Sequence, residues 1–359
     1  MNKKWILSIL AIITLLALSA CGGNNDDSAS KDKDSTGIKK EESKELNLYT
    51  GRHYDTDQQL YDRFTKKTGI KVNVIAAKDD ELIARLEREG KASEADVFVT
   101  ADAGRLARAK DKGLLQSFKS KTLEQNVPDK YRDDDGAWYG LTKRARVIAY
   151  DKERVKPEDI KEYDVLATDK FKGKVLIRSS DNIYNQSLVA SFIALNGKDE
   201  AKKWAEGIVA NMARAPKGGD RDQAVAVAAG EGDVAVMNSY YFGQMLNSEE
   251  EEEKKAAEKL AIVFPNQDTT GTHVNISGAG IAAGSKNKEN AIKFIEFLSE
   301  PEQQEQFSAT NFEYPVNKDA KTSDLLKSWG DFKEQDIDLT QLGENNEEAI
   351  KIMNEVGWK

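Results

Sequence analysis

The chain has 359 residues, with 62 acidic against 53 basic side chains for a formal charge of -9, two histidines and a single cysteine. This acidity argues against nucleic acid as a partner. A lone cysteine excludes internal disulfides and multi-thiolate metal sites, while the length suffices for two lobes with separate cores.

The N-terminus reads as an address. Lys3 and Lys4 precede an apolar run from Trp5 to Leu18 that is too short and wrongly flanked to span a bilayer. Leu18-Ser19-Ala20-Cys21 resembles the lipobox of bacterial lipoproteins. Residues 1–20 are therefore expected to be a signal peptide, with a lipid on the Cys21 sulfur. Residues 21–45 are rich in Gly, Asn, Asp, Ser and Lys, too polar to offset the entropy of ordering, and predict a flexible tether. The expected location is the outer face of the cell membrane, anchored through that lipid, with a monomeric soluble body.

The body opens with a strand, Glu45 to Tyr49, that runs into Thr50-Gly51-Arg52-His53-Tyr54. A helix follows from about Asp57, with Leu60 and Phe64 on one face and Gly69 closing it. Ile70 to Ile75 alternates like a strand, Leu82, Ile83 and Leu86 mark a second helix, and Ala95 to Val99 reads as a buried strand. This β-α-β-α-β order predicts a parallel sheet flanked by helices. Leu141 to Tyr150 is an extended apolar stretch interrupted by Lys143, Arg144 and Arg146, suited to a crossover between lobes. The pattern then repeats: strand Lys174 to Ile177, a loop ending in Tyr184, a helix through Leu188 and Phe192 closed by Gly197, and a small-residue helix from Asp220. Strand 233–237 leads through Asn238-Ser239 to Tyr240 and Tyr241, and Thr272 to Ile281 crosses back. Glu249 to Glu253 reads as a solvated helix end. The expected division is a first lobe over 46–142, a second over 143–268, a return to the first over 269–310, and C-terminal helices over 311–359 packing mainly on the second.

Ligands of parallel α/β sheets bind beyond the carboxyl ends of the strands. Tyr54, Tyr184, Tyr240 and Tyr241 all fall there, as does His53. One tyrosine at a strand end is usually a half-buried ring with a wet hydroxyl, an explanation that strains when applied four times in equivalent places. Phenols and one imidazole suit a hard, highly charged cation. Ionising one phenol at neutral pH costs about 4 kcal/mol and four cost roughly 15, which a divalent ion is poorly suited to offset. Zinc favours more imidazole and thiolate, and calcium and magnesium favour carboxylate and carbonyl cages. Ferric ion fits, as a transported ligand with no catalytic cofactor beside it. Four phenolates around a trivalent ion leave one net negative charge, for which Arg144 is the first candidate guanidinium and Arg52 the second. His273 lies in the return crossover.

These features resemble the iron(III) substrate-binding proteins of bacterial ABC importers, a branch of the periplasmic binding proteins related in fold to transferrin lobes. The matching segments span nearly all of the body: 49–54, Asn182-Ile183-Tyr184-Asn185, Asn238-Ser239-Tyr240-Tyr241, 273–278 and Glu313-Tyr314-Pro315-Val316. The resemblance implies a two-lobed type II fold with two crossover strands and a cleft. It also implies phenolates from Tyr54, Tyr184, Tyr240 and Tyr241, His53 completing the shell, and a permease with its ATPase as partner. Tyr314 is expected to be structural, and the His-Tyr pair argues against an obligate bound carbonate or phosphate. A binding protein of the same fold for an organic or anionic solute is the alternative. A secreted hydrolase using His53, Asp55 and Ser179 lacks any supporting elbow or zinc-protease motif.

Overall fold

The computed structural model describes residues 43–52 and 54–359; the signal peptide, Cys21, nearly all of the tether and His53 lie outside the described residues. Ten strands form one connected sheet: β1 (Glu45–Thr50), β2 (Lys71–Ala76), β3 (Val97–Ala101), β4 (Leu115–Gln116), β5 (Tyr139–Asp151), β6 (Val175–Leu176), β7 (Val234–Asn238), β8 (Leu260–Val263), β9 (Val274–Ala282) and β10 (Tyr314–Pro315). The spatial order is β2-β1-β3-β9-β5-β7-β6. In the first lobe β1 pairs in parallel with β2 and β3, and in the second β6 pairs in parallel with β7.

The two long central strands join the lobes. β5 pairs with β9 as far as Ala145, opposite Val274, and then changes partner, with Arg146 opposite Asn238 of β7. One continuous strand therefore belongs to both lobes, and β9 runs antiparallel beside it. This is the two-lobed type II arrangement. The expected crossover over 141–150 sits inside the observed β5, and the expected return strand overlaps β9.

Local sequence explains most boundaries. The helix Asp55–Thr68 buries Leu60, Tyr61 and Phe64 on one face. It stops at Gly69, whose φ of 75° is open to glycine at no steric cost and whose N–H reaches Thr65 O. Phe64 packs edge-on to Phe294 at 5.0 Å and against Phe297 at 5.5 Å, tying this helix to Lys288–Ser299 of the first lobe. In the second lobe Trp204 packs edge-on to Phe192 and tilted against Trp358, with centroids 4.6 and 6.1 Å apart.

The C-terminal segment departs from expectation. Residues 311–359 are shared between the lobes rather than lying mainly on the second. β10 pairs with β5 at Thr142 and Lys143 in the first lobe's sheet. The short helix Gln341–Glu344 packs on Ala103–Asp111 of the first lobe and on Ile183–Asn196 of the second, while Asn346–Glu355 packs on the second and its Asn346 Oδ1 accepts from Arg108 of the first at 2.7 Å. Close approach explains the first contact: a Cβ on Gly343 would stand 2.8 Å from Ala107 Cβ and 3.0 Å from Gly104 O. Side-chain periodicity reports that a face is buried, not which lobe buries it.

Candidate metal centre

Each tyrosine reaches the cleft through the same local device. Tyr54 follows β1 and stands as N-cap of the helix Asp55–Thr68. Tyr184 follows β6 in the first turn of Ile183–Asn196, its N–H held at 3.1 Å by the Asn182 side chain. Tyr240 and Tyr241 follow β7 in the first turn of Ser239–Leu246. Asn238 ends β7 and Ser239 already begins the helix, so strand passes to helix with no intervening turn. All four rings thus stand at helix N-termini, where unpaired N–H groups and the macrodipole favour negative charge.

The structure brings the four together. Tyr240 Oη lies 3.3 Å from Tyr184 Oη, and Tyr54 and Tyr241 stand near enough to oppose ionisation of Tyr240. The Tyr240 and Tyr241 rings lie 4.2 Å apart at 38°. They line a cavity of about 760 Å³ between the lobes, with Arg52, Arg144 and Arg178 also on its wall. Among the described residues no three His, Cys, Asp or Glu side chains cluster as a metal group. His53 precedes Tyr54 but lies outside the described residues.

Electrostatics hold Tyr54, Tyr240 and Tyr241 in their protonated form. Burial pushes the Tyr54 hydroxyl up to about 12, with Glu313 adding to the rise. Burial raises Tyr240 far more, reinforced by Tyr184, Tyr241 and Tyr54, and raises Tyr241 with help from Tyr184 and Asp220. That mutual opposition is the signature of oxygens too close to ionise together without a positive charge among them.

The two arginines play different parts. Arg52, the second candidate counter-charge, is already engaged: Nε reaches Asp57 at 2.9 Å, and the terminal nitrogens reach Glu313 at 2.8 and 3.1 Å and Ser277 at 3.2 Å. Burial would raise Glu313, but Arg52 outweighs it and holds the carboxyl below its usual range. Two carboxylates on one guanidinium leave no spare positive charge, so Arg52 is a brace rather than a counter-ion, with the Tyr54 ring 5.3 Å away. Arg144 is 2% exposed, and neither terminal nitrogen has a hydrogen-bond partner among the described residues. Its nearest carboxylate is Asp102 at 3.9 Å, and its guanidinium sits 5.4 Å from the Tyr184 ring centre. A buried cation left short of acceptors is costly unless an anion comes to it.

His273 stays out of the site. It is buried beside the crossover, its Nδ1 3.1 Å from Gln335 Oε1 and its backbone N–H 3.3 Å from Tyr163 Oη. Burial pushes its pKa down to about 3, so it stays neutral. Sequence reasoning missed Arg178, whose guanidinium lies 5.8 Å from the Tyr184 ring, and Asp102; only their positions just beyond β6 and β3 could have suggested them.

Comparison with known proteins gives a consistent pattern. Residues 59–334 match a family described as bacterial extracellular solute-binding proteins. The chain is 46% identical to iron uptake protein A1 of Synechocystis, over 100% of this chain and 99% of the relative. Its fold superposes on a Trichodesmium protein solved in complex with iron and citrate, at a TM-score of 0.85 and 50% identity, covering 88% of this chain and 100% of the other. The ferric binding protein from Campylobacter jejuni follows at a TM-score of 0.84 and 46% identity, with coverage of 88% and 100%.

Proposed function

The chain belongs to the bacterial extracellular solute-binding proteins, and from that premise we propose that it captures ferric iron between its lobes and delivers it to an ABC importer. It is a transport component and not an enzyme. The observation that carries the reading is the set of four phenol groups lining one cavity, with Tyr184 and Tyr240 in hydroxyl contact at 3.3 Å and all four at helix N-termini. Tyr54, Tyr184, Tyr240 and Tyr241 supply phenolate oxygen to the ion, and His53, next to Tyr54 in sequence, adds an imidazole. The surplus negative charge falls to Arg144, a residue of the cavity wall whose terminal nitrogens are buried without hydrogen-bond partners among the described residues. The names of the relatives, an iron uptake protein and an iron complex, support the same cargo.

Capture then couples to closure. Tyr54 comes from the first lobe and the other three from the second, so an ion bound to all four holds the lobes together. The closed surface is what a permease would read before its ATPase drives uptake. The test is metal analysis with a visible spectrum of protein purified without chelator, then titrated with ferric citrate. About one iron per chain and a phenolate-to-iron charge-transfer band are expected. Protein that stays colourless and iron-free, yet is thermally stabilised by an organic anion, would replace this reading with the anionic-solute alternative.

Membrane attachment rests on Leu18-Ser19-Ala20-Cys21. We propose that Cys21 carries the lipid and holds the body at the outer face of the membrane. Metabolic labelling with a fatty acid should mark the wild-type protein and fail with Cys21→Ala; equal labelling of both would refute the anchor.

A further inference from the structure

Asp102 is a fully buried carboxylate between β3 and the helix Ala103–Asp111. Its φ of 102° with ψ of 118° lies where side-chain-bearing residues are rarely found. Such backbone persists only when surrounding contacts over-determine it, and here those contacts come from four directions. Oδ1 caps the helix at Gly104 N, 2.9 Å away. Oδ2 accepts from Asn275 Nδ2 of the crossover β9 at 2.8 Å and from Ser187 Oγ at 2.7 Å. Arg144 of the other crossover stands 3.9 Å off. Asn275 in turn caps Ala103 N through its Oδ1 at 2.8 Å.

Ser187 belongs to the second lobe, on the helix Ile183–Asn196 that begins with the turn carrying Tyr184. It is fully buried and stands three residues after Tyr184, one turn along the same face. One carboxylate therefore joins the first lobe, both crossover strands and the helix that presents a phenol to the cavity.

We propose that Asp102, acting through Ser187, is a positioning residue that sets the Tyr184 phenol within the cluster and beside Arg144. It touches neither phenol nor cargo; it fixes the helix on which one phenol rides, at the level where the lobes join. A hydrogen bond to a buried carboxylate is among the stronger neutral-donor interactions, so its loss lets that helix relax away from the first lobe. The inference rests on the ferric-iron reading above.

The test uses the full mature protein and the release of iron to a competing chelator. Ser187→Ala removes the donor while leaving the carboxylate capped by Asn275 and Gly104, so it is the variant least disturbing to folding. Release about tenfold faster than wild type is expected, with a displaced charge-transfer band because the Tyr184 oxygen has shifted. Asp102→Asn should reproduce both changes. In a Tyr184→Phe background Ser187→Ala should add nothing, since it acts through that phenol. A wild-type release rate in Ser187→Ala, or an equal acceleration in both backgrounds, would overturn the assignment while leaving iron capture intact. Wild-type protein that binds no iron would instead overturn the functional reading, and this inference with it.

Discussion

Tyr240→Phe should weaken retention of ferric iron by well over 100-fold and strip most of the intensity from the visible band. The hydroxyl removed is the one that touches Tyr184 at 3.3 Å and that Tyr54 and Tyr241 also perturb. Losing an outer support of a metal site typically costs 10- to 100-fold in affinity, and a central ligand exceeds that. The ring itself remains, still buried and still stacked on Tyr241 at 4.2 Å, so folding stability should change by no more than about 1.5 kcal/mol. Tyr314→Phe supplies the control. Tyr314 is equally a buried phenol, but it packs on Phe332 at 5.4 Å and takes no part in the cavity wall. Competition against a chelator should separate the two variants sharply. Equal iron retention in Tyr240→Phe and wild type would remove Tyr240 from the ligand set.

Much of this arrangement was legible because it depends on local rules. Gly69 and Gly197 end helices where positive φ is needed, at 75° and 81°. The order of strands and helices placed three separated segments at equivalent ends of parallel strands, and the fold then had little freedom about where their tyrosines could point. What escaped depends on partners remote in sequence. Arg52 could pass for a free counter-charge until the fold brought Glu313, 261 residues away, within 2.8 Å. The reach of Ser187 to Asp102 spans 85 residues and has no periodicity to announce it. Asp102 itself sits in backbone that its residue type does not foretell. β6 is only two residues long, shorter than its apolar run, because the chain turns into the loop before Tyr184. The C-terminal helices carry the same kind of apolar face whichever lobe they cover.

Iron retention should collapse on acidification, and the direction follows from the protons the phenols carry. Binding through a phenolate requires the hydroxyl proton to leave. Burial lifts Tyr54 to about 12 and lifts Tyr240 and Tyr241 as well, so in the iron-free protein these three are protonated throughout the physiological range. Each therefore releases one proton when iron binds, and affinity rises tenfold per pH unit for each proton released. These three protons alone give about a thousandfold loss of affinity for every unit the pH falls, with no levelling off near neutrality because the free-state values lie well above it. A site of carboxylates would behave otherwise: those groups are already ionised at neutral pH, and its slope would be near zero until about pH 5. Chelator competition at several values between about pH 6 and pH 8, corrected for the chelator's own protonation, measures the slope directly. A slope of one or less would mean that the buried phenols keep their protons while the cargo is bound, and that something other than their oxygens holds it.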